Sequence, residues 1–192
     1  MYHDGQRQLQ DAFGTRGLAD RLVERLEHDQ FTEFDAAFIA AQSFFFLATA
    51  DADGRPDCSF KGGAPGFVQV LAPDLLAFPD FDGNGMFRSL GNIRANPQVG
   101  LLFIAMDDKP ARLRVNGHAE VVADDPRIDE TPGAQLMIRV TPQMIFPNCP
   151  RYVPNVAGAQ ASPYIPVTGE PILQPKWKTY PDFVDVVPPP RG

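Results

Sequence analysis

"FPDFDGNGMFRSLGNIRANPQVGLLF", Phe78 to Phe103, is the stretch on which the reading of this chain turns. Its two ends are apolar and of strand length. Between them stand Asp80, Asp82, Gly83, Asn84, Gly85, Arg88, Ser89 and Asn92, a glycine-asparagine turn followed by the polar start of a short helix. A helix beginning near Gly83 and Asn84 would present free backbone N–H groups and the positive end of its dipole. On such a helix Ser89 stands beside Arg88, and Asn92 lies one turn above it. Two readings are open. Either these side chains and the helix start cradle an anionic group such as phosphate, or Asp82 or Asn84 caps a plain connecting helix that stops at "ANP", Ala95 to Pro97, with Arg88 solvated.

Outward from this stretch the chain reads as hairpins. "FFFLATA" (Phe44 to Ala50) has strand length, "DADG" is a tight reversal, "RPDCSF" returns, and "KGGAPG" is a loop. "FVQVL" and "LLAFP" form a second hairpin around "APD". After the helix come "QVGLLFIA", a turn at "MDDKP", and "ARLRVNGHAEVVA". The last alternates, with Leu113, Val115, Gly117, Ala119 and Val121 on one face and Arg112, Arg114, Asn116, His118 and Glu120 on the other. "QLMIRV" (Gln135 to Val140) is read as the final strand. Six or seven antiparallel strands with one inserted helix suggest a closed or nearly closed barrel, because closure removes exposed edges.

Upstream, Leu18 to Gln42 reads as helical. Leu18, Leu22 and Leu26 with Val23 form one apolar stripe, and Thr32 with Asp35 resembles a capping box. His28 is read as a surface residue of that helix. Beyond Pro142 proline becomes dense, which disfavours helix and central strand. The organisation expected is a helical extension over residues 1–43, a barrel domain over 44–149, and a proline-rich tail over 150–192 that packs on the barrel or on a partner subunit, with Trp177 docked.

Composition narrows the function classes. The chain has 192 residues, 44% of them hydrophobic, with 15 Phe to fill one core. A net charge of −7 argues against nucleic acid and against an anionic membrane surface. An anionic ligand must then be held by local donors. Cys58 and Cys149 match no metal spacing and are read as reduced thiols of a cytoplasmic protein. The first residues lack an apolar signal region, and "FIAAQSFFFLATA" is too short to span a bilayer.

A second cluster bears on the opening question. "RPDCSFKGG" (Arg55 to Gly63) brings Ser59 and Lys61 to paired glycines, which let a flat or phosphorylated ligand approach the backbone. A solvated loop lysine is the plainer reading. Arg112 and Arg114, on one strand face of an acidic chain, call for an anionic partner or a subunit interface. His3, His28 and His118 are too scattered to argue a base, and Cys149 reads as an inert thiol.

These segments, in the order "FLATADADGRPD", "KGG", "SLGNIRANPQVGLLF" and "LRVNGHA", resemble the pyridoxamine 5′-phosphate oxidase-like, FMN-binding split-barrel family, from about Phe34 to Cys149. The resemblance implies a mainly β fold with added helices: a six-stranded antiparallel split β-barrel that forms a homodimer with FMN at the interface. It maps Cys58, Ser59 and Lys61 to the flavin-lining strand. It maps Pro79, Asp80, Asn84, Arg88, Ser89 and Asn92 to the phosphate end. It also places Arg112 or Arg114 toward the flavin and Trp177 against it from the other subunit.

The chain departs from that pattern in two places. Gly85 and Met86 stand where true pyridoxamine phosphate oxidases carry an Arg-Lys pair, and their C-terminal substrate signature is replaced by "YIPVTGEPILQPKWKTYPDF". Pyridoxal phosphate synthesis is therefore not expected. The expectation is an FMN-dependent oxidoreductase of a small organic substrate, with Lys61 stabilising charge on the reduced ring and no catalytic side chain assigned. The alternatives are a flavin-binding or sensor module without turnover, or a split barrel using F420 or haem.

Overall fold

The computed structural model describes residues 2–81, 85–156 and 176–187. The strands are β1 (Phe44–Ala50), β2 (Pro56–Gly62), β3 (Gln69–Ala72), β4 (Leu75–Phe81), β5 (Gln98–Ala105), β6 (Ala111–Val122) and β7 (Ala134–Asn148). They form one antiparallel sheet in the order β2-β1-β5-β6-β7-β4-β3. The helices are α1 (Asp4–Ala12), α2 (Arg16–Leu26), α3 (Glu33–Ala40), α4 (Arg88–Ala95) and α5 (Arg127–Glu130), with a 3₁₀ turn at Lys176–Thr179. None among the described residues is long and apolar enough to cross a membrane.

Alternation along the strands builds the core. Val99, Leu101, Phe103 and Ala105 of β5 are buried while the residues between them are less so. Leu113, Val115, Gly117 and Ala119 do the same on β6, on the face read from the sequence. Phe45 sits at the centre, its ring 4.9 Å from Phe78 and 5.0 Å from Phe103. Each fully buried Phe contributes about 1.5–3 kcal/mol. Because β1 and β4 are second and sixth in the sheet, the Phe45–Phe78 contact forces the sheet to curl.

The expected six-stranded barrel is corrected to seven strands in an unclosed sheet, with β2 and β3 as its edges. Helix α4 packs on β1, β2 and β6 and buries Ser89, Leu90 and Ile93 in the open side. The helix covers the β2 side of the opening and leaves a cleft between β2 and the end of β4.

The last strand runs past the expected end at Val140 to Asn148, through Pro142 and Pro147. Pairing with β4 covers only Ala134 to Val140, so these prolines have a ladder on one side, from β6, where a missing N–H costs least. A bulge at Asn116/Gly117 sets that register. A Cβ on Gly117 would lie 2.2 Å from the Thr141 carbonyl oxygen, so the crossing requires glycine.

The helix expected over Leu18 to Gln42 is two helices. Between them the His28 N–H donates to the Ile145 carbonyl (3.0 Å) and the Ile145 N–H to that of His28 (2.7 Å). This tertiary bridge interrupts the helical period. Helix α3 restarts with the capping box, Thr32 Oγ1 accepting from the Asp35 N–H at 3.2 Å. Nor is His28 a plain surface residue: its Nε2 lies 2.8 Å from the buried Asp35 Oδ2. Helix α1 was not expected, although its start carries a signal: the His3 N–H donates to Gln6 Oε1 at 3.0 Å.

Candidate functional site

Strand β2 has a neighbour on one side only, and a cleft of about 400 Å³ opens along its free edge. Asp57, Ser59 and Lys61 pair with Thr49, Leu47 and Phe45, whose side chains point inward, so these three share the inner face. Cys58 and Phe60 turn outward. Ser89 Oγ donates to Ser59 Oγ at 3.0 Å and holds the start of α4 over β2. The far wall is β4, with Asp80 and Phe81. Lys61 Nζ reaches across to within 3.5 Å of Asp80 Oδ1.

The expected helix start at Gly83 and Asn84 is corrected to Arg88. Gly85 has φ +71° and Phe87 φ +48°, both left-handed, and a right-handed helix cannot run back through them. Phe87 is the N-cap and makes no side-chain cap hydrogen bond, so the first-turn N–H groups of α4 have no side-chain acceptor from it. Arg88, the first helical residue, has a side chain 67% exposed, with Nη2 3.8 Å from Asp57 Oδ1.

Cys58, Ser59, Lys61, Asp80, Arg88 and Ser89 therefore border one cleft, Cys58 with its side chain turned away from it. Asn84 lies outside the described residues. Pro79 is buried in β4 opposite Met137 and is not at the cleft surface. Asn92 donates from Nδ2 to Thr49 Oγ1 at 3.1 Å, pinning α4 to β1. Trp177 packs edge-on against Phe183 at 5.6 Å, in a segment tied to α2 by Arg21 and Asp185 at 2.7 Å. Its indole N–H is buried with no partner among the described residues.

Arg112 and Arg114 stand on the outer face of β6, apart from this cleft. Arg112 Nη2 donates to the Cys149 carbonyl, and the Arg114 guanidinium lies 5.7 Å from the Phe146 ring centre. Across the sheet, register places Phe60, Phe46, Leu102 and Arg114 in one row. Three strand spacings separate Phe60 from Arg114, about 14 Å. The row is apolar at its β2 end, where Phe44 stacks on Phe60 at 5.5 Å and Phe60 is 62% exposed.

Sequence reasoning missed Asp57, Phe60, Phe81, Phe87, Leu90 and Gln135 as cleft residues, and named Gly85 and Met86 only as departures from the family pattern. Asp57 was within reach, since it alternates with Ser59 and Lys61 on one strand. Gln135 carried no local signal, because β7 meets the cleft only through its pairing with β4. Among the described residues no group of three His, Cys, Asp or Glu could hold a metal ion.

Residues 31–148 match the family described as pyridoxamine 5′-phosphate oxidase, a span from before α3 to the end of β7. None of the curated proteins matches the sequence. Among solved structures, the chain resembles HupZ from Group A Streptococcus at 18% identity, covering 61% of this chain and 93% of that one, with a TM-score of 0.49. An FMN-binding protein from Syntrophomonas wolfei matches at 13% identity over 76% of this chain and 96% of its own, with a TM-score of 0.44. HutZ, the haem storage protein from Vibrio cholerae, matches at 23% identity over 57% and 89%, with a TM-score of 0.42.

Proposed function

Because the chain belongs to the pyridoxamine 5′-phosphate oxidase family, we propose that it is an FMN-binding homodimer that serves as an oxidoreductase for a small organic substrate. The observation that carries the reading is the meeting, in one cleft, of Lys61 from β2 and Arg88 at a helix start that its N-cap Phe87 leaves without a side-chain hydrogen bond. These residues fit a flat ring with a phosphate tail. The free edge of β2 offers backbone hydrogen-bonding groups to a heterocycle, Phe81 and Met86 offer apolar contact, and Arg88 with the α4 N–H groups offers donors to phosphate. Bound FMN would supply hydride or electron transfer. Lys61 would hold a positive charge beside the ring, and Ser59 and Ser89 would fix the helix start relative to β2.

The apolar outer face supports the homodimer: the exposed Phe60 ring lies against the half-buried Phe44 and Phe46, with half-buried Leu102 beside them, and a contiguous apolar patch on a surface is where a partner docks.

The test is a visible spectrum of the purified protein and a titration of the apo form with FMN. A flavin spectrum with stoichiometric binding, weakened at least 5-fold by Arg88→Ala, is expected. A Soret band, or tight binding of F420 with none of FMN, would replace FMN by that group. Turnover of NAD(P)H separates an enzyme from a flavin-binding module.

A further inference from the structure

The charged side chains of the cleft come in opposed pairs. Arg88 Nη2 lies 3.8 Å from Asp57 Oδ1, and Lys61 Nζ lies 3.5 Å from Asp80 Oδ1. The described lining residues hold these two cations and two carboxylates, so their formal charge is zero. Both separations exceed a good charged hydrogen bond, about 2.7–2.9 Å, so each pair is loose enough to exchange partners.

The two pairs differ in what a ligand can do to them. Lys61 and Asp80 are largely enclosed, their side chains 21% and 10% exposed, and they brace β2 against β4. Asp57 is held on β2 opposite Thr49, whereas the Arg88 side chain extends from the helix start into solvent. A phosphate that reaches Arg88 and the first N–H groups of α4 comes within Coulombic range of the Asp57 carboxylate. The chain as a whole carries −7, so the global field adds no attraction to offset that repulsion.

We infer that Asp57 is a specificity-determining residue that sets the ligand charge this cleft accepts, by holding Arg88 as its counter-ion. The inference rests on the flavin reading above and deepens it. The cleft takes the flavin ring with a small preference for the 5′-phosphate over the uncharged ribityl alcohol, because the gain at Arg88 is offset by repulsion at Asp57. Asp57 is a positioning and charge-setting residue; the phosphate contacts themselves belong to Arg88 and the helix start.

The experiment titrates apo protein with FMN and with riboflavin, by quenching of flavin fluorescence, for the wild type, Asp57→Asn and Asp57→Asn/Arg88→Ala. Removing one carboxylate charge a few ångströms from a dianion is expected to raise the FMN-over-riboflavin preference about 10-fold, with riboflavin affinity unchanged. The double variant should lose that gain. Asp57→Ala serves as a second variant with the same expectation, and circular dichroism confirms folding. A preference that changes less than about 3-fold in both Asp57 variants, or a gain that survives Arg88→Ala, overturns the inference. If neither flavin binds any of the proteins, the flavin reading itself falls. Inorganic phosphate, titrated into the same set and followed by phosphorus NMR, then decides the role of Asp57 separately. An Arg88-dependent gain in Asp57→Asn upholds it, and equal binding overturns it.

Discussion

Lys61 Nζ stands 3.5 Å from Asp80 Oδ1, and this one contact joins an edge strand to the sixth strand of a seven-stranded sheet. It spans the cleft that the unclosed sheet leaves between β2 and β4, beside the start of α4. Asp80 is buried, so its carboxylate depends on a nearby cation more than a surface acid would.

Replacing Lys61 with Met should cost about 1–3 kcal/mol, because it leaves that carboxylate without its cation. Urea unfolding measures the loss. The same variant should bind FMN more weakly and lower the flavin reduction potential, by removing positive charge beside the ring. Unchanged affinity and potential would rule Lys61 out of the cofactor site.

Asp125 gives a pH prediction. Its carboxylate is fully enclosed, 3.1 Å from Arg127 Nη1 and 2.9 Å from Arg139 Nη2. Burial pushes the carboxyl up, but the Arg127 backbone N–H, the Arg139 guanidinium and the charges of both arginines outweigh it and hold the group below its ordinary value. A depressed folded value means that the stabilisation is complete above the unfolded pKa, about 3.9, and is lost as pH falls through the folded one. Asp125→Asn should therefore be less stable by about 1–3 kcal/mol at neutral pH, with the difference shrinking as pH falls below the unfolded value. Denaturant curves at several pH values test this, and a gap independent of pH would contradict it.

Gly117→Ala should destabilise by about 2–4 kcal/mol, since the added methyl meets the backbone rather than a side chain able to turn away. The contacts are the Thr141 oxygen at 2.2 Å and Pro142 Cα at 3.0 Å. Thermal melts read the loss. A variant as stable as the wild type would mean that the β6–β7 bulge shifts freely.

Leu102→Glu tests the outer face. Leu102 lies in register between Phe46 and Arg114, in the middle of the row proposed to meet its copy in a second protomer. A buried glutamate there disfavours association while leaving the inner core intact. Sedimentation velocity should show a dimer for the wild type and a monomer for the variant; a monomeric wild type would remove the homodimer from the proposal.

The β architecture was legible because it is written locally. Alternation in Leu113 to Val121, the reversal at Asp51 to Gly54, and the capping pair Thr32 and Asp35 each depend on neighbours a few residues away. Six of the candidate site residues share one cleft because they lie on one strand edge, on the facing strand and on the first turn of one helix. Asn92 and Pro79 have the right residue types in the right segment. Yet they face the Thr49 hydroxyl and the interior, and only packing sets which way they point.

By itself, the sequence determined the strands, the short helix with its stop before Pro97, and the family to which the chain belongs. Tertiary structure decided the rest. It moved the helix start to Arg88 behind a left-handed Phe87, carried β7 through two prolines, left the barrel open, and set Asp57 against Arg88 and Asp80 against Lys61. The physical reason is range. Backbone periodicity is settled by adjacent residues, whereas the partner of a charge depends on how far the whole sheet curls, and a core of contacts such as Phe45 on Phe78 sets that curl.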